Sequence, residues 1–217
     1  MARLSGDLKL GFWAASASAA LALFYSLAQI AEWLGWLGSQ GGPNASSTAF
    51  GLALLLTPSL LLGPAFLAAI ACMRSLVPID RSGIALAALA FAAIYATLTG
   101  LVYFVQLTFV GPRLIEADTA DIALLLFVPY ESFLFAIDLL GYSFMSLATL
   151  FAAFALSSDV RASAARLALL ANGLLLPFLA LQMFIPALIW PAASWAFLFP
   201  LAMILLARLF LAIGVKG

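Results

Sequence analysis

Six stretches of the chain are long and apolar enough to cross a lipid bilayer as helices. They are residues 11–37, 49–73, 83–110, 131–156, 164–184 and 193–213, here called spans 1 to 6. At about 1.5 Å of rise per residue, about 20 apolar residues cross the hydrocarbon core of a bilayer. Charged residues make up only 8% of the 217, whereas a soluble domain carries about 25%. We therefore predict one all-α domain, residues 1–217, built as a bundle of six transmembrane helices in contact with lipid.

The basic residues predict the direction in which the spans cross. If the N-terminus is cytoplasmic, all but one of the nine Lys and Arg residues fall on inner segments: Arg3, Lys9, Arg74, Arg81, Arg161, Arg166, Arg208 and Lys216. The outer segments then hold only Arg113. Cytoplasmic loops of membrane proteins are enriched in Lys and Arg, so we predict a multi-pass protein of the cell membrane with both termini cytoplasmic. Because nine acidic residues balance the nine basic ones, no nucleic-acid partner is expected.

The connection between spans 3 and 4 contains a short apolar segment, TADIALLLF. Asp118 or Thr119 is a suitable N-cap, and Pro129 stops a helix, so we predict a short helix over 119–128. It is too short to span the bilayer. We expect an interfacial or re-entrant helix that lies over the outer mouth; a plain amphipathic connector is the alternative.

Polar residues follow helical spacing in spans 1, 3 and 4. Span 1 carries Tyr25, Gln29, Glu32 and Trp36; span 3 carries Tyr95, Thr99, Tyr103 and Gln106; span 4 carries Glu131, Asp138, Tyr142, Ser146 and Thr149. Steps of three, four or seven keep side chains on one helix face. These faces must turn away from lipid. Most of these polar residues lie in the predicted outer half, which favours a pocket open to the outside. Polar residues that only hydrogen-bond one another inside the bundle are the alternative.

Two acids lie at depth in these spans, Glu32 and Asp138. An acid at the centre of a membrane helix costs about 2.5–3.5 kcal/mol, and no Lys, Arg or His lies at the same depth. The predicted ligand residues are Gln29, Glu32, Tyr103, Gln106, Asp138 and Tyr142. Arg113 and Glu131 are expected at the mouth, where Arg113 could form an ion pair with Asp138 and Glu131 could simply be solvated.

The residue inventory argues against most membrane enzymes. The chain has no His, which removes His-based zinc, haem and serine-protease chemistry. Its two lysines, Lys9 and Lys216, lie near the ends, and Cys72 is its single cysteine. We therefore predict no catalytic residue, no metal site and no cofactor. The leading hypothesis is a protein that binds or transports a cationic or proton-coupled amphipathic small molecule. The alternatives are an accessory subunit that docks a membrane partner and, third, a carboxylate-dependent membrane enzyme.

Overall fold

In this computed structural model, residues 6–43, 46–117, 119–157 and 159–214 are described, and all their regular structure is helical. The α-helices are α1 (Gly6–Trp33), α2 (Ala49–Met73), α3 (Ser82–Val105), α4 (Gly111–Ile115), α5 (Phe133–Ala155), α6 (Val160–Gly173), α7 (Leu176–Ala180), α8 (Ile189–Ala192) and α9 (Trp195–Gly214). Short 3₁₀-helices cover Arg74–Leu76, Ile79–Arg81, Ala120–Leu125 and Pro186–Leu188, and a π-helix covers Gln106–Val110.

Six segments are long and apolar enough to cross a membrane, as predicted. They are Gly6–Trp33, Ala49–Leu76, Ile79–Ile115, Phe133–Ala155, Ala162–Ala180 and Pro186–Gly214. They correspond in order to spans 1 to 6, and the names are kept for them. Span 1 ends at Trp33, a few residues before the predicted residue 37, because Gly35 adopts a φ of +74°, a left-handed conformation that breaks a helix. Trp36 therefore lies beyond α1 and is exposed.

Spans 3 and 5 are not single α-helices. In span 3, the π-helix joins α3 to α4, and Gly111 donates its N–H to the Gln106 carbonyl. In span 5, α6 ends at Gly173 and α7 begins three residues further on, at Leu176, with Pro177 in its first turn. Proline is favoured there because its missing N–H would have no helical partner in any case.

The six spans form a closed ring in chain order. Helix α1 packs on α2, α2 on α3, α3 on α5, α5 on α6, α6 on α9, and α9 returns to α1. Spans 1 and 4 therefore lie on opposite sides of the ring. Small residues allow the close approaches: a Cβ at Gly11 would lie 2.5 Å from the Phe210 ring, and one at Gly173 would lie 2.8 Å from Leu150 Cα. The Ala and Ser residues of span 1, from Ala14 to Ala22, include the buried face that makes these contacts.

Six aromatic side chains fill the centre of the ring and are called the aromatic layer here. They come from five spans and touch one another with ring centroids 5.2–5.8 Å apart: Tyr25, Phe66, Tyr95, Tyr142, Trp195 and Phe199. Phe66, Tyr95 and Phe199 are fully buried. The edge-to-face and stacked contacts add to the burial of these rings. The layer therefore blocks the ring between its two ends.

The predicted helix over 119–128 appears as a shorter 3₁₀-helix, Ala120–Leu125. Thr119 precedes it without a side-chain capping bond, and Asp118 lies outside the described residues. The Gln106 side chain donates from Nε2 to the Leu125 carbonyl at 2.6 Å. This bond holds the 3₁₀-helix against span 3, while its position at a membrane interface stays a prediction.

Candidate functional site

A cavity of about 300 Å³ lies inside the ring, on one side of the aromatic layer. All six spans contribute to its wall, together with residues of the connections at that end of the bundle, such as Pro43 and Pro129. Tyr25, Tyr142 and Trp195 of the aromatic layer also line it. The remaining wall is mainly apolar, with Leu, Ile, Phe and Ala side chains. A mostly apolar cleft with a few polar groups is the usual form of a small-molecule site.

Glu32 and Asp138 both line this cavity, although they are almost completely buried. Glu32 is 3% exposed and Asp138 is 8% exposed. Neither carboxylate oxygen of Glu32 has a hydrogen-bond partner, and Oδ1 of Asp138 has none. Among the residues that the structure describes, no Lys, Arg or His lines the cavity. Buried polar atoms are nearly always paired, so these three oxygens form an acceptor set that the described protein atoms leave unused.

Glu32 lies against the beginning of helix α2. A Cβ added to Gly51, in the first turn of α2, would lie only 2.8 Å from Glu32 Oε2. The Gly51 N–H donates to the N-cap Thr48 Oγ1 at 3.1 Å, so it does not bond to the carboxylate. The positive end of the helix dipole still favours a negative charge at this place. The fold thus supports a carboxylate at Glu32 while leaving its oxygens free to accept.

Asp138 lies among tyrosine hydroxyl groups. Tyr103 donates to the Tyr142 hydroxyl oxygen at 3.1 Å, and Tyr25 donates to Gln29 Oε1 at 3.0 Å. These four side chains line the same cavity as Asp138. Their lone pairs and rings give a ligand polar and aromatic contacts beside the acid.

Five of the six predicted ligand residues line the cavity: Gln29, Glu32, Tyr103, Asp138 and Tyr142. The sixth, Gln106, does not line it and is fully buried in its bond to Leu125.

The two predicted mouth residues also lie outside the cavity wall. Arg113 donates to the Phe109 carbonyl at 3.0 Å and stacks over the Phe109 ring at 3.6 Å, and it forms no ion pair with Asp138. Glu131 is exposed. The suggested ion pair is therefore wrong, because the arginine turns back along its own helix.

Several cavity residues were not among those predicted from the sequence. Gln182 was visible as a lone amide in the apolar run FLALQMF, and it lines the cavity. Its Nε2 donates to the Tyr130 hydroxyl at 3.3 Å, and that hydroxyl donates to the Pro186 carbonyl at 3.4 Å. Burial raises the pKa of Tyr130, and the Gln182 hydrogen bond partly offsets this. Trp195 also lines the cavity, and its Nε1 donates to Met145 Sδ at 3.2 Å. It belongs to none of the three polar stripes, so nothing in the sequence indicated that it is a site residue.

Polar groups also occur on the other side of the aromatic layer. Asn172 of span 5 donates from Nδ2 to Thr149 Oγ1 of span 4 at 3.0 Å. Both residues and Ser146 are fully buried. Asn172 Oδ1 and Ser146 Oγ have no partner. The polar face of span 4 therefore continues past the aromatic layer.

Comparison of the chain with protein-family models, with curated proteins and with solved structures finds no match.

Proposed function

We propose that this membrane protein binds and transports a small cationic molecule with an apolar part, which it takes up in the cavity. The observation that carries the proposal is the pair of buried acids, Glu32 and Asp138, with unpartnered oxygens in a cavity that none of the described basic side chains lines. An unpaired buried charge is costly, and a bound cation removes that cost. A proton competes with the ligand for these carboxylates, which makes coupling to protons part of the proposal.

The rest of the wall suits such a ligand. Tyr and Trp rings at Trp33, Tyr103, Tyr142 and Trp195 line the cavity, and ring faces attract cations. The apolar side chains accommodate the uncharged part. The volume of about 300 Å³ is at the small end of ligand sites, so the ligand is smaller than most drugs.

The distribution of basic residues supports a cavity that opens to the outside. Lys9, Arg74, Arg81, Arg166 and Arg208 belong to the end of the bundle away from the cavity, while Arg113 belongs to the cavity end. Arg3, Lys216 and the side chain of Arg161 lie outside what the structure describes. By the enrichment of Lys and Arg in cytoplasmic loops, the far end is cytoplasmic, as are both termini, in the cell membrane. A cytoplasmic signal from a reporter inserted at Asp121 would contradict this orientation.

The buried polar groups beyond the aromatic layer favour transport over binding alone. A protein that only holds a ligand needs no unpaired polar atoms beneath the floor of its site. A transporter needs them once the aromatic layer opens, because the ligand must then pass Ser146, Thr149 and Asn172. The unpartnered oxygens of two of these residues, Ser146 Oγ and Asn172 Oδ1, are suited to that passage.

The alternative of an accessory subunit receives less support. Its polar stripes and small-residue faces would have to point outward to dock a partner. In this fold most small residues of span 1 (Ala14, Ala15, Ser18, Ala19 and Ala22) and the polar residues Thr99, Asp138 and Ser146 are buried inside the ring, and of the run from Ala14 to Ala22 only Ala17 and Ala20 are exposed. A carboxylate-dependent enzyme is the third alternative, whereas the function proposed here involves no catalysis.

The first experiment is native mass spectrometry of the full chain purified in mild detergent, which detects retained small molecules and partner chains alike. Thermal unfolding with tetramethylammonium or n-butylamine then tests for cation binding. A cation at about 100 times its Kd stabilises by about 2.7 kcal/mol, or roughly 5 °C or more. Glu32→Gln and Asp138→Asn should reduce this stabilisation, and Glu116→Gln, at an exposed acid outside the cavity, should not. Retained partner chains without any response to cations would favour the accessory subunit instead.

A further inference from the structure

We propose that the natural ligand is a linear organic dication, an alkyl chain with an ammonium group at each end, which bridges Glu32 and Asp138. This inference rests on the proposed function, because it names the class of cation that the same cavity takes. It depends on three features: the number of free acids, their placement across the ring, and the apolar wall of the cavity.

The number of acids in the cavity determines the charge expected of the ligand. Two carboxyl groups line one cavity, each with at least one buried oxygen that lacks a partner. A monocation that pairs with one of them leaves the other unpaired in an apolar surrounding, which is unfavourable. Each ammonium group carries three N–H donors. A ligand with two ammonium groups therefore satisfies both carboxylates and still has donors for the Gln29 amide oxygen and the tyrosine hydroxyls.

The order of the spans in the ring determines the expected shape of the ligand. Glu32 belongs to span 1 and Asp138 to span 4, which are three positions apart in the closed ring of six and do not pack as neighbours. The two acids therefore approach the cavity from opposite sides. A ligand that contacts both must extend across the cavity, so its charges lie at its ends.

The wall determines the middle of the ligand. Leu52, Leu55 and Leu56 of span 2 and Leu139 of span 4 line the cavity. Alkyl carbons make favourable contacts with such side chains, whereas a polar linker would lose its hydration without compensation. A bare divalent metal ion fits less well, because no group of three or more metal-binding side chains occurs among the described residues.

The test uses the full chain in detergent and a series of α,ω-diaminoalkanes from diaminopropane to diaminooctane. The n-alkylamine and the α,ω-diol of each length are the matched control ligands. Isothermal titration calorimetry should show an optimum diamine length, with binding about 10-fold or more tighter than the alkylamine of that length. This factor corresponds to one additional charge-assisted hydrogen-bonded contact. The diols should not bind measurably.

Variants of Glu32 and Asp138 test whether each acid binds one ammonium group of the ligand. Glu32→Gln and Asp138→Asn should each lower diamine affinity by about 10-fold, to the level of the alkylamine. The double variant should lose binding of both ligands, and Glu116→Gln should retain wild-type affinity for both. If either acid variant does not fold, the length series on the wild-type chain decides alone, since it needs no substitution.

Two results would overturn the inference in different ways. If no diamine binds more tightly than the alkylamine of its length, or if only one acid variant weakens diamine binding, the proposal of a dication is wrong. Binding of a monocation at the same site would still be supported. If neither amines nor tetramethylammonium bind at all, the cation-binding function fails as well.

Discussion

Gly51→Ala tests whether Glu32 takes part in ligand binding from the position it occupies. A Cβ at residue 51 would lie 2.8 Å from Glu32 Oε2, 3.4 Å from its Cδ and 3.4 Å from Ser47 Cβ. Ordinary van der Waals contact begins at about 3.4 Å. The carboxylate oxygen must therefore move by about 0.6 Å, which moves the charge while keeping its chemical identity.

Two opposing effects determine the stability of this variant. Alanine is favoured over glycine in a helix by up to about 1 kcal/mol, and Gly51 belongs to the first turn of α2, where the gain is smaller. Moving the end of the flexible Glu32 side chain off its rotamer costs about 0.5–1.5 kcal/mol. The free energy of unfolding should thus change by no more than about 1 kcal/mol. Amine affinity should fall by up to about 10-fold, because a charge-assisted hydrogen bond to a displaced oxygen loses much of its about 1.5–3 kcal/mol.

The assay measures the thermal unfolding midpoint and the affinity for n-butylamine or a diamine on the same preparation. Gly100→Ala is the matched control, since a Cβ there meets no atom within 4 Å and the residue lies inside helix α3. Wild-type amine affinity in Gly51→Ala would refute a role for Glu32 at its present position. A loss of several kcal/mol of stability would show that the carboxylate is held rigidly.

Three further predictions concern the fold around the cavity. Gly173→Ala should lower the free energy of unfolding by about 1–3 kcal/mol, because its Cβ would lie 2.8 Å from backbone atoms of span 4 that cannot move aside; thermal or chemical unfolding measures this, and a neutral result would contradict the helix contact. Asp138→Asn and Arg113→Gln should have additive effects on stability within about 0.5 kcal/mol, and a larger coupling in the double variant would restore the ion pair that the structure lacks. Gln106→Leu removes the bond to the Leu125 carbonyl, so amide hydrogen exchange in the 120–125 helix should become faster, and unchanged exchange would count against this attachment.

Helical periodicity identified part of the cavity face of spans 1 and 4. Tyr25, Gln29 and Glu32 line the cavity at steps of four and three, and Asp138 and Tyr142 do so at a step of four. The prediction failed where the α-helix ends. Trp36 continues the spacing of span 1, but the left-handed conformation of Gly35 places it outside the helix. Residue spacing indicates a shared helix face only as far as the α-helix itself continues.

Gln106 shows a second limit of the same argument. It lies three residues after Tyr103 and therefore on nearly the same side of span 3. One turn nearer the end of the span, however, the 3₁₀-helix Ala120–Leu125 packs over it, and its amide bonds to that helix instead of reaching the cavity. The path of a connecting segment depends on tertiary packing, which the periodicity of a span does not contain.

The apolar wall could not be predicted because a leucine that faces lipid and a leucine that faces a cavity look alike in a sequence this apolar. Leu55, Leu56 and Trp195 become visible as site residues only when the ring order is known. The same order changes the meaning of the two acids. In the sequence, each acid is a separate energetic cost, Glu32 on the polar stripe of span 1 and Asp138 on that of span 4. Because the ring places span 1 opposite span 4, the two acids line one cavity from opposite sides. A single cationic ligand, as proposed above, would therefore satisfy the unpaired oxygens of both acids.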